Sequence, residues 1–301
     1  MDRLESMSIL VAAVEAGSLS AAGRRLGIPL TTVSRKVSDL EAHLKTRLLT
    51  RSSRKLALTD AGRSYVAACQ RILEEVNEAE RAAAGEYHAP RGELIVTAPI
   101  VFGRLHVLPV ALDFLKTYPE VDMRMMLADR PLNLLEEDID LAVRIGELPD
   151  SSLIATRLGS IRRVVCASPA YFAARGRPGT PAALEHHDCI AFEGMTSAHS
   201  WTFRSGKQPL PIAIRSRLIV NTAEAAIDAA LAGVGVIRVL AYQVAAALAE
   251  GGLVLALEAF EPAPSPVSLV HGGGLLPLKL RAFLDFAAPQ LRERIVQVGA
   301  T

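Results

Sequence analysis

The chain has 301 residues, of which 50% are hydrophobic and 22% are charged, so it can bury a core of about two domains and is not a disordered protein. The net charge is only +1, but segment 20–65 holds ten Lys and Arg against three Asp and Glu, a local charge of +7, while the other 255 residues carry −6. Such a basic module is typical of a protein that binds an anionic partner, unless it is only a solvated basic surface.

The chain has three widely spaced cysteines: Cys69, Cys166 and Cys189. Their odd number and the lack of a nearby Cys or His cluster argue against a disulfide framework and a structural zinc site, and they fit a reducing cytosol. The N-terminus lacks the pattern of a signal peptide, and Asp228 and Arg238 interrupt the longest apolar tract, so we expect a cytoplasmic protein without a membrane span. Enzyme, cofactor and metal motifs are also missing, so we expect neither an enzyme nor a cofactor.

The first part of the chain predicts three short helices. The first carries an apolar stripe at spacings of three and four residues: Leu4, Met7, Val11 and Val14. Ser18 or Ser20 can cap the second, which stops at Gly27, and the third runs from Leu30 to about Leu44. Two helices joined by a tight glycine-containing turn are typical of a helix-turn-helix, whose second helix enters the major groove of DNA. The alternative is a helical hairpin with a polar outer face.

The next segment, 48–58, predicts two short strands around a basic turn that carries Arg51, Arg54 and Lys55. A basic wing of this kind can bind phosphates or enter the minor groove, and its affinity should fall steeply with salt.

A long helix follows, beginning after Thr59. Its apolar positions alternate at spacings of four and three over about three heptads: Leu58, Gly62, Tyr65, Cys69, Ile72, Val76, Ala79 and Ala83. This heptad seam predicts a coiled coil that pairs two chains, and the alternative is an amphipathic helix packed on its own domain. The stretch 88–92 breaks the helix and is a natural hinge.

The run from Gly17 to Gly62 resembles the N-terminal signature of LysR-type transcriptional regulators, in its small-residue second helix, SR…LE third helix, LL.R wing and LT.AG helix start. The resemblance implies DNA contacts from the start of the third helix and from the wing: Leu30, Thr31, Thr32, Ser34, Arg35, Arg51 and Arg54. Leu30 departs from the Gln that many members have, so a contact there would be to a thymine methyl rather than a hydrogen bond.

Beyond the hinge, strands and helices alternate, which predicts an α/β fold with a largely parallel sheet. The predicted strands are 94–98, 121–127, 139–144, 163–167, 218–220, 235–239 and 267–270, and the predicted helices are 103–117, 131–137, 169–175, 223–231 and 277–292. LysR-type effector domains resemble periplasmic solute-binding proteins, which implies two lobes: lobe I of 92–160 plus 267–301, and lobe II of 161–266.

In such folds a ligand binds between the lobes, at strand C-termini and helix N-termini. The candidate effector-binding residues are Ala98, Pro99, Ile100, Asp129, Arg144, Gly146, Phe203, Asn221 and Thr222. Pro99 supplies no N–H donor, which disfavours a carboxylate ligand. Asp129 either faces the cleft or caps the 131–137 helix, and Phe203, like Trp201, either walls the cleft or packs in the core.

Arg144 also has two interpretations. Its guanidinium can bind an effector carboxylate, or it can form a structural ion pair with Asp140 or Glu147.

The sequence therefore predicts a multi-domain regulator: an all-α winged helix-turn-helix (1–58), a linker and dimerisation helix with hinge (59–91), and a two-lobed α/β effector-binding domain (92–301). We expect it to bind double-stranded operator DNA and a small-molecule effector. A homodimer forms through the linker helix, the resemblance implies a homotetramer, and RNA polymerase is a candidate partner. The rivals are a transporter's solute-binding receptor and an enzyme on the same scaffold, which a gel shift would distinguish from the regulator.

Overall fold

The computed structural model describes residues 2–51, 56–83, 89–134, 136–192, 199–206, 208–274 and 276–299. The chain divides into two compact units, Met1–Ala89 and Pro90–Thr301. Within the described residues no single helix is both long and apolar enough to cross a bilayer, although the first two helices together pass the same test across a 116° bend.

The first unit is a winged helix-turn-helix with a long helix after it. Its elements are α1 (Arg3–Glu15), α2 (Leu19–Leu26), α3 (Leu30–Leu44), β1 (Leu49–Arg51), β2 (Leu56–Leu58) and α4 (Asp60–Ala83). Strands β1 and β2 pair antiparallel, with Leu49 opposite Leu58. The helices meet in one core, in which Leu10, Leu40 and Leu48 are buried. The predicted stripe of α1 is only partly the buried face: Val11 is buried, but Leu4 is 42% exposed, and Ile9 and Leu10 lie in the core instead. The helices and the hairpin predicted from the sequence are confirmed.

Local signals set the turn between α2 and α3. The Ser18 side chain accepts a hydrogen bond from the Ala21 N–H and so caps α2. Gly27 ends α2 with a φ of 68°, a left-handed conformation that glycine adopts without a Cβ penalty. Gly23 lies so close to the Ile28 carbonyl that a Cβ there would approach the oxygen to 2.9 Å. The small residues of α2 thus allow the tight turn.

The second unit contains two five-stranded sheets. The strands of lobe I are β3 (Gly92–Ala98), β4 (Val121–Leu127), β5 (Leu141–Ile145), β6 (Ile154–Ile161) and β14 (Ser265–His271). Those of lobe II are β7 (Arg163–Ala167), β8 (Asp188–Phe192), β11 (Arg215–Val220), β12 (Val236–Leu240) and β13 (Val254–Ala256). The strand order is β4-β3-β5-β14-β6 in lobe I and β11-β8-β12-β7-β13 in lobe II. A hairpin of β9 (Ser200–Ser205) and β10 (Gln208–Ala213) covers part of lobe II.

Helices cover the sheets. Lobe I has α5 (Ile100–Phe102), a π-helical turn (Gly103–Val107), α6 (Leu108–Thr117) and α10 (Leu278–Gly299), and lobe II has α7 (Pro169–Arg175), α8 (Ala223–Leu231) and α9 (Ala241–Ala249). Short 3₁₀ turns lie at Pro181–His186 and Glu258–Phe260. One buried core runs through both lobes, from Phe114 and Phe283 in lobe I to Ile190 and Val239 in lobe II. The chain crosses between the sheets twice, once after β6 and once before β14.

Two predictions about this unit are wrong. The sheets are mixed rather than largely parallel: β3 is parallel to β4 and β5, but β14 is antiparallel to β5 and β6, because the chain returns from lobe II to add it. The described residues of 131–137 also form no helix: residues 131–133 have no regular secondary structure, and Leu134, Glu136 and Glu137 lie in turns. Leu132 and Leu134 are nevertheless buried, in a small cluster with Ala142, so this segment packs on lobe I without forming a helix.

Candidate DNA-binding surface and effector site

The outer face of α3 carries the predicted DNA-contacting side chains. Leu30 is 47% exposed, Thr31 and Arg35 are exposed, and Thr32 and Ser34 are half-buried. The opposite stripe of α3 is buried, so the helix is held from behind. Within the described residues, Arg35 has neither a hydrogen bond nor an ion pair, so its guanidinium is available to bind DNA.

The N-terminus of α3 is also suited to an anion. Pro29 stands at the N-cap and no side chain caps the helix. The carbonyl of Pro29 accepts from the N–H groups of Thr32 and Val33, which leaves the earlier N–H groups of the first turn without a cap. Together with the helix dipole, such N–H groups favour a phosphate.

Glu41 fixes the wing to α3. Its Oε1 accepts hydrogen bonds from the backbone N–H groups of Leu48, at 2.8 Å, and Leu49, at 3.0 Å. Both of these residues are buried. In the sequence, Glu41 stands out only as the E of the SR…LE motif. Its role depends on the hydrogen bonds to Leu48 and Leu49, which apolar periodicity does not reveal.

Thr59 and Gly62 fix the other side of the wing. The Thr59 hydroxyl donates to the Arg47 carbonyl at 2.7 Å and accepts from the Gly62 N–H at 2.9 Å. A Cβ on Gly62 would come within 2.0 Å of the Leu48 carbonyl oxygen, so only glycine allows α4 to approach the strand this closely. Of the predicted wing residues, Arg54 lies outside the described residues, as does the side chain of Arg51, the last residue of β1.

The heptad seam of α4 divides into two halves. In the first half, Tyr65 packs against the core of the first unit and Cys69 is fully buried in it. Here the alternative interpretation, packing on the chain's own domain, is the one observed. In the second half, Ile72 is 39% exposed and Ala79 is exposed, so these apolar side chains are open to a partner.

In the second unit, β3 ends at Ala98 and α5 begins after Pro99. The Ile100 N–H donates to Asp129 Oδ1 at 3.0 Å, so Asp129 caps α5 and not the absent 131–137 helix. Gly146 follows β5 with a φ of 121°, and its N–H donates to the Pro266 carbonyl at 2.8 Å.

Arg144 is engaged by the protein itself. Its guanidinium donates to the Leu132 carbonyl, burial lowers its pKa, and Glu137 is the carboxylate that raises it. Asp140, one of the two predicted ion-pair partners, instead accepts a hydrogen bond from the Ile95 N–H at 2.8 Å. The structure thus offers a structural role for Arg144, with a backbone carbonyl as its hydrogen-bond acceptor.

Phe203 belongs to the core. It is 2% exposed, packs with Trp201 under the β9–β10 hairpin, and has the Arg238 guanidinium 5.4 Å from its ring centroid. This leaves almost no surface for a ligand, so Phe203 is removed from the effector site. Asn221 is exposed, and Thr222 caps α8 by accepting from the Ala225 N–H at 3.3 Å.

A group of buried polar side chains between the lobes was missed from the sequence. Asp129 Oδ2 of lobe I and Glu224 Oε2 of lobe II are buried without a hydrogen-bond partner among the described residues. Tyr242 Oη and Gln243 Nε2 of lobe II are buried as well, and the Gln243 side chain lowers the pKa of Tyr242 through a hydrogen bond, so these two groups act on each other. We call these four residues the inter-lobe polar cluster. Burial raises the pKa of Asp129, and the nearby Glu224 raises it further. No group of three His, Cys, Asp or Glu among the described residues could hold a metal ion.

Aromatic rings hold the cluster in place. The Tyr242 ring meets Phe102 edge to face, with centroids 5.5 Å apart, and lies at the same distance from His106 in the π-helical turn. Burial is the main cause that raises the pKa of the Tyr242 hydroxyl, followed by Asp129. Burial also lowers the pKa of His106. No local sequence pattern could have found the cluster, because its members come from three distant segments.

Two family models match this arrangement. Residues 4–63 match the model of the bacterial regulatory helix-turn-helix proteins of the lysR family. Residues 88–292 match the model of the LysR substrate binding domain. The chain belongs to the LysR family. This LysR-type regulator is 36% identical over 294 residues to an HTH-type transcriptional regulator of Xanthomonas campestris pv. campestris, an alignment that covers 96% of this chain and 85% of the relative.

The regulator is also similar to CrgA, an HTH-type transcriptional regulator of Neisseria meningitidis serogroup B, with 34% identity over 292 residues that cover 95% of this chain and 96% of CrgA. The solved structure of CrgA from Neisseria meningitidis, a LysR-type transcriptional regulator, aligns with a TM-score of 0.61 and 32% identity over 95% of this chain and 98% of that one. The predicted family, fold class and function are confirmed: a DNA-binding transcriptional regulator with an effector-binding domain.

Proposed function

We propose that this regulator binds operator DNA through the outer face of α3, with Leu30, Thr31, Thr32, Ser34 and Arg35 at the bases and adjoining phosphates. The observation that carries the proposal is the exposure of this face, with an Arg35 guanidinium that is free within the described part of the chain. Arg51 and Arg54 of the wing add phosphate contacts. The DNA-binding domain is residues 1–58, and 59–91 form the linker.

A gel shift with the DNA upstream of the chain's own gene tests the proposal. We expect a retarded band at low salt that disappears as salt is raised, because phosphate contacts release counterions. Folded protein that gives no retarded band at low salt would favour a solute-binding receptor or an enzyme instead.

Replacing Arg35 by Ala should weaken operator binding by about 1–3 kcal/mol, roughly 5- to 150-fold in Kd, and relax sequence preference at one base pair. Fluorescence anisotropy with operator variants measures both effects. Arg204→Ala removes an exposed arginine of β9 and should leave binding unchanged. Equal weakening on every DNA sequence would show that Arg35 contacts only phosphate.

We further propose that two chains pair through the second half of α4, and that two such dimers form a tetramer. A second apolar surface is available on lobe I, where Leu105, Leu108, Leu112 and Leu127 are all exposed. Exposed leucines in such a group are typical of a protein interface. Pairing would present two α3 helices to successive major grooves of the DNA. We also propose a reducing cytosol as the compartment and RNA polymerase as a candidate partner there.

Replacing Ile72 by Glu should weaken the α4 dimer at least about tenfold in Kd, because pairing would bury a carboxylate without a partner. Sedimentation equilibrium of the full-length protein measures the change. Gln70→Glu adds the same side chain on a different, exposed side of α4 and serves as the control. Unchanged association of the Ile72 variant would contradict the proposed interface.

The effector-binding domain spans 92–301, and we propose that a small metabolite binds between its lobes, near Ala98, Pro99, Ile100 and Asp129 of lobe I and near Asn221 and Thr222 of lobe II. The lobe II segment that opens α8 also brings Glu224 to the inter-lobe polar cluster. Gly146 follows β5 and stays in the proposal, whereas the guanidinium of Arg144 is bound to the Leu132 carbonyl and has a structural role. A ligand that prefers one arrangement of the lobes would shift the population of oligomer states and thereby alter DNA contacts.

A further inference from the structure

A charged side chain lies buried in the middle of lobe II. Arg238 is the third of the five residues of β12, which is itself the central strand of the sheet, and it is only 8% exposed. Its Nη2 donates to the Thr202 carbonyl at 2.6 Å, and its Cζ lies 5.4 Å from the centroid of the Phe203 ring. Its Nε is buried without a hydrogen-bond partner among the described residues. Arginine is rarely buried to this degree unless an acidic group is paired with it.

A second arginine is its neighbour on the same face of the sheet. Strands β12 and β7 pair antiparallel, with Arg238 opposite Val165 and Leu240 opposite Arg163. Because side chains alternate along a strand, Arg163 and Arg238 share a face as diagonal neighbours, about 7–8 Å apart. This is the face that the β9–β10 hairpin covers, since Val165 and Val236 belong to the core beneath that hairpin.

Neither arginine has an acidic partner within the part of the chain that the structure describes. Asp188, the acid at the start of β8, is bound by Arg217 at 3.1 Å. Burial lowers the pKa of both buried arginines, and the charge of Arg163 helps to lower that of Arg238 to about 9. The Tyr242 hydroxyl is the one titratable group that raises the pKa of Arg163. Two neighbouring positive charges therefore lack a neutralising anion.

The hairpin adds a further donor without an acceptor. Trp201 is 1% exposed, and its indole Nε1 is buried with no hydrogen-bond partner in the described ranges. It precedes Thr202, whose carbonyl binds Arg238, and it packs in the same core cluster as Phe203. Arg238 Nε and Trp201 Nε1 are both N–H donors, and a buried donor without an acceptor costs free energy unless a ligand or water completes it. Such a set of groups fits an oxyanion and not a cation.

We propose that lobe II binds a small oxyanion, a carboxylate or a phosphoryl group, between the Arg163 and Arg238 side chains beneath the β9–β10 hairpin. Guanidinium groups bind both kinds of oxyanion through charge-assisted and often bidentate hydrogen bonds. Arg163 is only half-buried, so a solute can reach the site from its side. The site belongs to lobe II alone and does not depend on an effector between the lobes. Because Arg238 also holds the Thr202 carbonyl, a bound anion would stabilise the hairpin against the sheet.

The test uses the full-length protein with sodium phosphate, sodium acetate and sodium benzoate as probes, while sodium chloride keeps the ionic strength constant. The probes are used at up to about 10 mM, roughly ten times a millimolar Kd and below the range in which phosphate acts as a general stabiliser. We expect at least one anion to raise the thermal transition of the effector-binding domain saturably, by roughly 3–6 °C at ten times its Kd. A rise with phosphate alone would assign the site to a phosphoryl group, and a rise with the carboxylates alone to a carboxylate.

Two variants remove the charges and keep the length of the side chains. Arg238→Met and Arg163→Met should each weaken anion binding at least about tenfold. Arg204→Met changes an exposed arginine of the same hairpin and should leave anion binding unchanged. Without added anion, Arg238→Met should unfold no earlier than the wild type, because an apolar side chain replaces a buried charge that has no partner.

The absence of a saturable rise with all three anions would overturn the inference. A rise of wild-type size in both methionine variants would do the same, since the anion would then bind elsewhere. If Arg238→Met unfolds markedly earlier than the wild type, Arg163→Met decides: an unchanged anion effect there would make Arg238 a structural link from β12 to the hairpin and end the proposal. A parallel gel shift keeps this inference apart from the proposed function, because wild-type protein can bind its operator whether or not lobe II binds an anion.

Discussion

Replacing Glu41 by Ala should lower the free energy of unfolding of the DNA-binding unit by about 2–4 kcal/mol and reduce operator binding with it. The substitution removes the acceptor of two N–H groups, those of Leu48 and Leu49, in residues that are buried. A buried donor left without a partner costs about 1–3 kcal/mol, and here there are two. Without the clamp, β1 would lose its fixed position against α3, so the wing and the helix would no longer meet DNA together.

Urea denaturation of the full-length protein, followed by circular dichroism, measures this loss. Glu41→Gln keeps an oxygen acceptor and should cost less than Glu41→Ala, since only the charge is lost. His43→Ala changes an exposed residue of the same helix and should have little effect. Equal stability of wild type and Glu41→Ala would show that water replaces the carboxylate at no cost, and the clamp would then have no energetic role.

Replacing Gly62 by Ala should destabilise the same unit by at least about 3 kcal/mol. The added Cβ would come within 2.0 Å of the Leu48 carbonyl oxygen and 2.9 Å of its carbon. Either the backbone at Leu48, just before β1, or the start of α4 must therefore move. Overpacking against flexible side chains costs about 1–3 kcal/mol, and a contact with backbone leaves less room for relaxation. Movement of α4 would also break the bond from the Gly62 N–H to Thr59.

The thermal transition of the effector-binding domain provides an internal reference for this variant. It should stay where it is, while the transition of the DNA-binding unit moves down and operator affinity falls. Gly179→Ala is a matched control, because a Cβ at that glycine meets no atom within 4 Å. A Gly62 variant that unfolds at the wild-type urea concentration would mean that α4 can shift without loss, and the close approach would then not explain the LT.AG motif.

Much of the DNA-binding unit could be predicted from the sequence because its determinants are local. Helices α1 and α3 follow from apolar residues at spacings of three and four. The turn between α2 and α3 follows from Gly27, since glycine adopts the left-handed conformation without a Cβ penalty. The seam of α4 was also found, yet periodicity could not tell which neighbour covers it. Cys69 faces its own core and Ile72 is exposed, although both fit the same heptad.

The effector-binding domain shows where local reasoning stops. The alternation of strands and helices predicted a helix at 131–137, but Leu132 and Leu134 are buried there without one, because their side chains pack against Ala142 and Val270. Of the two roles that the sequence leaves open for Phe203, cleft wall or core packing, the structure shows the second, because the β9–β10 hairpin folds over lobe II. The strand β14 becomes part of lobe I only when the chain returns from lobe II.

The family, the basic helix-turn-helix and the alternation of strands and helices could be read from the sequence, since each depends on residues that are neighbours in the chain. The inter-lobe polar cluster could not, because Asp129, Glu224 and Tyr242 are far apart along the chain, and the fold is needed for both carboxylates to raise the pKa of the Tyr242 hydroxyl. The electrostatic cost of a buried carboxylate depends on the groups that surround it in space, and the packing of the two lobes, not a local pattern, fixes that set.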